Sequence, residues 1–366
     1  MFKITDSMVP WVEKYRPKTL SSLTQSEALL QLFNNCSETK QMSHFLFYGP
    51  PGTGKTSTIL ALGREIFKEH YKDRVLEFNA SDDRGINTVR ERITTEARKY
   101  VDILECSDKT TIPPYKIIIL DEADAMTEEA QDALRVIIEK YSKLTRFCFI
   151  CNYASKITDA IKSRCIPIYF KPIESTKVKD KIMDIAKIEK LQLDDLVIDC
   201  IVEITNGDMR KAITVLQSAK YLLDYKRFYK KPIIEMNLKE LKAFEKISLI
   251  CTEIPDMKIY PDDIYSITGY MSKAKIEDII KSILEATTII NIKNICTGII
   301  SHGFSVDNII LQLNDFIMKS DLIPPLERAQ IIKYSGNILA KIKQSASEYI
   351  QLLNYLTYIN LTYRSI

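Results

Sequence analysis

Gly49, Pro50, Pro51, Gly52, Thr53, Gly54, Lys55 and Thr56 satisfy the spacing GxxxxGK[ST] and run directly into Ser57. Glycines at this spacing let the backbone curl until successive N–H groups face one anion, and a helix opening at the end of the loop adds its positive end. Lys55 would then meet the terminal phosphates of a nucleoside triphosphate. The Thr56 hydroxyl would meet a magnesium ion whose other ligands are phosphate oxygens and water. A second signal lies where the apolar run Ile117 to Leu120 ends in Asp121, Glu122, Ala123 and Asp124. At such a strand end Asp121 can hold magnesium through water, and Glu122 can orient and deprotonate the water that attacks a γ-phosphate. Taken alone, these carboxylates also fit a solvated acidic turn that opens a helix. The glycine-rich run is what favours the catalytic reading.

These groups need elements to hold them. The run FLFY, Phe45 to Tyr48, precedes the glycines as an apolar strand, and STILALGREIF follows them as a helix. Further strands are predicted at Val75 to Asn79, Lys116 to Leu120, Arg146 to Cys151 and Ile166 to Phe170. Strands alternating with helices over residues 1–170 predict an α/β domain built on a parallel sheet. After Pro172 the apolar spacing in VKDKIMDIAKI and MRKAITVLQSAKYLL is helical, giving a small helical domain over 171–225. Residues 226–261 carry several prolines and a polar turn around Pro261, Asp262 and Asp263, and read as a linker or insertion. The basic and aromatic run Tyr225 to Lys231 fits a solvated linker or a nucleic-acid contact. From 262 to 366, segments such as IEDIIKSILEA, VDNIILQLNDFIM and SASEYIQLLNYLTYI predict an all-helical bundle.

Composition narrows the partners only a little. Lys and Arg total 51 against 48 acidic residues, so the net charge of +3 names no polyanion by itself, and a DNA-binding surface has to be local. An apolar content of 46% is enough for two or three separate cores. No apolar run is long enough to span a bilayer, and the first residues lack the apolar core of a signal peptide, so no membrane partner is expected. Eight cysteines without a small-scaffold pattern fit free thiols in a reducing compartment. Cys148 and Cys151 form the one CxxC, but residues three apart on a strand face opposite sides, which argues for core packing and against a shared metal.

With both phosphate motifs placed, the chain resembles the AAA+ ATPases. WVEKYRPKTL at Trp11 to Leu20, NASDDRG, PPYKIIILDEAD, TRFCFICNY, the SRC of Ser163 to Cys165 and GDMRKAITVLQSA make it similar to the small subunits of replication factor C. The wording is most like the branch named subunit 2 in one scheme and subunit 4 in another. The resemblance implies an AAA+ domain, a helical lid and an all-helical collar that forms the ring. It also implies an ATP-hydrolysing, magnesium-dependent subunit of a nuclear heteropentamer with the other replication factor C subunits. That assembly opens the sliding clamp, proliferating cell nuclear antigen, and loads it onto primer-template DNA in replication and repair.

Residue by residue, the resemblance puts Val12, Tyr15 and Arg16 around the adenine, with Thr24 nearby. It has Asn152 bond the γ-phosphate or the attacking water and Arg210 link the nucleotide to the lid. Arg164 becomes the arginine finger given to a neighbouring subunit's ATP, so one chain cannot complete its own site. Arg84 and Arg90 become contacts to the DNA backbone. Read without the family, the N-terminal residues are an arm packed on the sheet and Asn152 forms a turn. Arg164, Arg84 and Arg90 are then solvated charges.

The chain departs from the family pattern in extra residues around 226–260 and in Val136, where relatives carry a second arginine after Ala-Leu-Arg. Two alternatives share the phosphate loop. One is a scaffold subunit of the same ring that binds ATP without turning it over. The other is a different AAA+ DNA-remodelling ATPase, such as a branch-migration motor or an initiator, which would need a winged helix. No such segment is evident after Asp262.

Overall fold

The computed structural model describes residues 9–80, 86–100, 104–105, 111–230 and 258–364. They form two compact units, Met1–Gln192 with Ile201–Gln217, and Leu193–Cys200 with Ser218–Ile366.

The first unit opens with α1 (Trp11–Lys14), α2 (Glu27–Thr39), β1 (Phe45–Tyr48), α3 (Lys55–Phe67), α4 (Tyr71–Arg74) and β2 (Val75–Asn79). It continues through α5 (Ile86–Arg98), β3 (Leu104–Glu105), β4 (Thr111–Ile112), β5 (Lys116–Asp121), α6 (Glu128–Tyr141), β6 (Thr145–Cys151), α7 (Asp159–Lys162), β7 (Ile166–Tyr169) and α8 (Ser175–Ile188). Five strands make a parallel sheet in the order β2-β5-β6-β1-β7, while β3 and β4 pair separately.

The central strands carry unbroken apolar runs, Phe45 to Tyr48, Ile117 to Leu120 and Phe147 to Cys151, because helices cover both faces of the sheet. Phe45, Phe47, Ile117, Ile119, Cys148 and Ile150 enter one buried cluster. Leu46, Ile118, Leu120, Phe147, Phe149 and Cys151 enter the other, so Cys148 and Cys151 do lie on opposite faces. Each buried Ile, Leu or Phe contributes about 1.5–3 kcal/mol, so this double core holds the strand ends in place. The carboxyl ends of β1, β5 and β6 lie side by side, which is where an open parallel sheet binds its ligand.

α9 (Asp195–Thr205) and α10 (Met209–Lys230) follow, and the division between the two units falls within both. α10 continues past the expected boundary at 225, because the run to Lys230 contains no helix breaker before Pro232. The expected polar turn near Pro261 is instead the start of a helix, Pro261–Thr268. Proline sits in its first turn, and Asp263 Oδ2 accepts from Tyr260 N–H at 2.9 Å.

The second unit continues with helices Lys273–Glu285, Ile289–Ser301, Val306–Lys319, Pro325–Lys343 and Glu348–Arg364 around a core that includes Ile280, Ile310, Leu313, Ile338, Leu352 and Ile359. Three polar side chains in and beside that core are linked in a chain. Tyr355 OH donates to Asn314 Oδ1 at 2.6 Å, and Asn314 Nδ2 donates to Ser335 Oγ at 2.8 Å. Among the described residues no strand follows Tyr169, and no helix is long and apolar enough to cross a membrane.

Candidate functional site

The loop between β1 and α3 curls through Gly52 (φ +70) and Gly54 (φ +89), a left-handed backbone that glycine adopts without strain. Gly52 also has no room for a side chain, since a Cβ there would lie 1.7 Å from Asp208 Oδ1. That carboxylate accepts from Lys211 N–H at 3.0 Å and caps α10, while Met209 N–H donates to Gly52 O at 3.2 Å. The phosphate loop and the first turn of α10 are therefore joined, and Arg210 sits in that turn.

Lys55 is buried, and its Nζ donates to Gly49 O at 2.7 Å, Pro50 O at 2.8 Å and Asn152 Oδ1 at 3.1 Å. Burial lowers its pKa from the ordinary lysine value, with the Asp121 charge opposing that shift. Thr56 Oγ1 donates to Asp121 Oδ2 at 2.9 Å, and Asp121 Oδ1 accepts from Glu122 N–H at 2.9 Å. Glu122 has φ +55, a left-handed conformation rare for glutamate; such strain clusters at working sites. Asp124 Oδ2 accepts from the N–H groups of Asn152 and Tyr153 at 3.3 and 3.4 Å, tying the acidic turn to the end of β6.

One cleft of about 290 Å³ gathers Pro51, Gly52, Thr53, Gly54, Lys55, Thr56, Ser57, Asp121, Glu122, Asn152 and Arg210, together with Val12, Arg16 and Thr24. Gly49 and Pro50 stand behind it as acceptors for Lys55. Tyr15 does not line it. Its hydroxyl donates to Glu189 Oε1 at 2.5 Å, the oxygen that also takes Lys14 Nζ at 2.6 Å, and its ring meets Trp11 edge-on. Positions four apart share a helix face, so Val12 and Arg16 turn to the cleft while Trp11 and Tyr15 turn away. Tyr15 thus anchors the arm.

Arg164 also lies outside the lining of its own chain's cleft. Arg84 falls outside the described residues, and Arg90 belongs to the backbone of α5. Val136 is 51% exposed on α6, so no charged group occupies that surface position.

Sequence reasoning missed several lining residues. Gln25 is buried, with its Nε2 donating to Thr53 O, and its own carbonyl accepts from Lys177 Nζ at 3.0 Å. Glu77 and Asn79 reach the cleft from β2, and burial raises the Glu77 carboxyl above the usual range. Alternation along β2 places these two on one face, the only signal the sequence carried for them. Gln131 was missed as well. Its Nε2 donates to Lys156 O at 3.0 Å and its Oε1 accepts from Thr158 N–H at 2.8 Å, which ties α6 to the segment leading into α7.

A cation, a hydroxyl paired with a carboxylate, a second carboxylate and an amide thus surround one loop of backbone N–H groups, the set needed to bind a triphosphate and activate water against it. Thr56 spends its proton on Asp121, which leaves its oxygen lone pairs for a cation. Among the described residues no group of three His, Cys, Asp or Glu could hold a metal, so a cation here would depend on phosphate oxygens and water.

Residues 45–173 match the ATPase family associated with various cellular activities (AAA). Residues 175–225 match the RFC1-like AAA+ ATPase lid domain, and 271–358 match the replication factor C C-terminal domain. A protein of Acanthamoeba polyphaga mimivirus named as a replication factor C small subunit is 52% identical over 98% of both chains. Replication factor C subunit 2 of Oryza sativa is 38% identical over 97% of this chain and 95% of its own. Subunit 4 of Homo sapiens is 38% identical over 94% and 86%. The Thermotoga maritima RuvB Holliday junction branch migration motor shares the fold at a TM-score of 0.50 and 14% identity, covering 83% of this chain and 92% of that one.

Proposed function

Since this chain belongs to the replication factor C small subunits, we propose that it is the ATP-hydrolysing part of a clamp loader that opens proliferating cell nuclear antigen and places it on primer-template DNA. The observation that carries the reading is the convergence of Lys55, Thr56, Asp121, Glu122 and Asn152 on one cleft.

In this reading ATP enters with its base beside Val12, Arg16 and Thr24 and its phosphates on the loop from Gly49 to Ser57. Lys55 exchanges carbonyl acceptors for β- and γ-phosphate oxygens. Glu122 takes the proton of the attacking water, and Asn152 holds that water or the γ-phosphate in line. Thr56 and Asp121 would hold magnesium, which supplies neutralisation of the phosphate charge. Arg210 senses the bound nucleotide from the first turn of α10, and the join of Met209 to Gly52 gives that turn a direct path to the loop.

Arg164 acts in trans on the ATP of a neighbouring subunit. Its position outside its own cleft supports this, as does the suitability of a planar, permanent cation for charge spread over phosphoryl oxygens. The DNA backbone is followed by Arg84 and Arg90 without base readout, and the compartment is the nucleus, with roles in replication and repair.

The scaffold alternative is disfavoured by the intact Glu122, Asn152 and Arg210. The remodelling alternative is disfavoured by the absence of any strand after Tyr169 among the described residues, since a winged helix needs a β-hairpin. The test is clamp loading on primed circular DNA by a loader reconstituted with and without this chain. Loading that requires the chain and fails with Lys55→Ala supports the proposal; loading that proceeds equally in its absence removes it.

A further inference from the structure

Arg164 is hydrogen-bonded to groups of its own chain. Its Nε donates to Glu139 Oε1 at 2.7 Å and its NH2 donates to the same oxygen, while NH1 donates to Ala160 O at 2.7 Å and Ser163 Oγ at 3.1 Å. The Nε and NH2 edge is one that would grip a phosphate with two parallel bonds, and here it grips a carboxylate. A guanidinium neutralised in this way has little charge left to offer a transferring phosphoryl group.

Glu139 lies in the last turn of α6. That helix begins just after the acidic turn of Asp121 to Asp124, and Gln131 ties it to the segment leading into α7 and Arg164. The carboxylate that holds Arg164 is therefore carried on the same helix that starts at this chain's own hydrolytic site.

We propose that Glu139 is a positioning residue that keeps Arg164 withdrawn, and that Arg164 engages a neighbour's ATP by exchanging the Glu139 carboxylate for phosphate oxygens. The inference rests on Arg164 acting in trans. With side chains 31% and 50% exposed, the ion pair is weak enough to be given up. It is strong enough to bias the finger away until the ring closes. Hydrolysis next door is thereby restrained in an open assembly.

The test introduces Glu139→Gln into this subunit alone of the reconstituted loader and measures ATP turnover without clamp and DNA. The expected result is a rise of about threefold to fivefold, the scale of an exposed ion pair. Fully stimulated turnover should be nearly unchanged, so the stimulation ratio falls. Glu139→Asp, which keeps the charge, should stay near wild type, and adding Arg164→Ala to Glu139→Gln should abolish the rise. A basal rate that is unchanged or lowered by Glu139→Gln, while Arg164→Ala still reduces stimulated turnover, overturns the inference and leaves the finger intact. Stimulated turnover untouched by Arg164→Ala overturns the finger reading itself.

Discussion

Thr56 Oγ1 donates a 2.9 Å hydrogen bond to Asp121 Oδ2, joining the first turn of α3 to the carboxyl end of β5. The bond fixes which way the hydroxyl points and leaves its lone pairs for a cation. Thr56→Val should therefore weaken ATP binding roughly tenfold in the presence of magnesium, the usual scale for disturbing a metal site's supporting shell. With chelator added, the variant and wild type should bind nucleotide alike. Titration calorimetry in both conditions decides, and an equal loss in both would mean that Thr56 serves the loop and not the ion.

Gly52 combines φ +70 with the closest approach in the site, a built Cβ meeting Asp208 Oδ1 at 1.7 Å. Gly52→Ala should cost about 1–3 kcal/mol through backbone strain and displacement of the α10 cap. The double variant with Asp208→Ala should cost less than the sum of the two single changes, because both act on one contact. Strict additivity in denaturant midpoints would show that the clash relaxes without touching the cap.

Much of this architecture was legible because it is local. The strands at Phe45 to Tyr48 and Val75 to Asn79 fall where the apolar runs placed them, and the glycine spacing named the loop. Lys55 with Asn152 and Thr56 with Asp121 were reachable because each residue carries a motif of its own. The partners of Tyr15 were not. Glu189 lies 174 residues away and has no local signature, so a tyrosine in an N-terminal arm could be assigned to the base pocket when its hydroxyl is bound elsewhere. Pro261 and Asp263 were misread for a different reason. Proline and acidic residues mark turns and the first turn of a helix alike, and only the Asp263 to Tyr260 bond separates the two.

Glu189 receives both Tyr15 OH and Lys14 Nζ, and Trp11 N–H donates to Gln217 Oε1 at 3.1 Å, so the arm that carries Val12 and Arg16 is tied down at both ends of its short helix. Glu189→Ala should loosen the arm and weaken ATP binding about twofold to fivefold, as expected for one partly exposed polar anchor, while kcat holds. Steady-state kinetics on the assembled loader check this. A fall in kcat at unchanged KM would assign Glu189 to the chemical step.

His44 contributes a pH dependence to the first unit. Its Nδ1 accepts from Phe147 N–H at 3.0 Å, and burial, with the nearby Arg146 charge adding to it, lowers its pKa from 6.5 to about 4. Between those values the unfolded chain binds more protons than the folded one, so this contribution is present above pH 6.5 and is lost as pH falls toward 4. The loss when complete is at most about 3 kcal/mol, reduced by solvent screening because the ring is only partly buried. Urea midpoints at pH 7.5 and 5.0 should drop more for the wild type than for His44→Asn; parallel drops would place the acid sensitivity elsewhere.

The central claim, that this subunit hydrolyses ATP in its own cleft and completes a neighbour's, is tested most directly by clamp- and DNA-stimulated turnover of the reconstituted loader. Glu122→Gln and Arg164→Ala would each be introduced only here. Both variants should retain ATP binding by this subunit. Glu122→Gln should remove this site's share of stimulated turnover, a loss of about 100-fold or more at that site. Arg164→Ala should remove the neighbour's share and leave this site working. Stimulated rates equal to wild type in both variants would contradict the account and leave this chain as a nucleotide-binding scaffold.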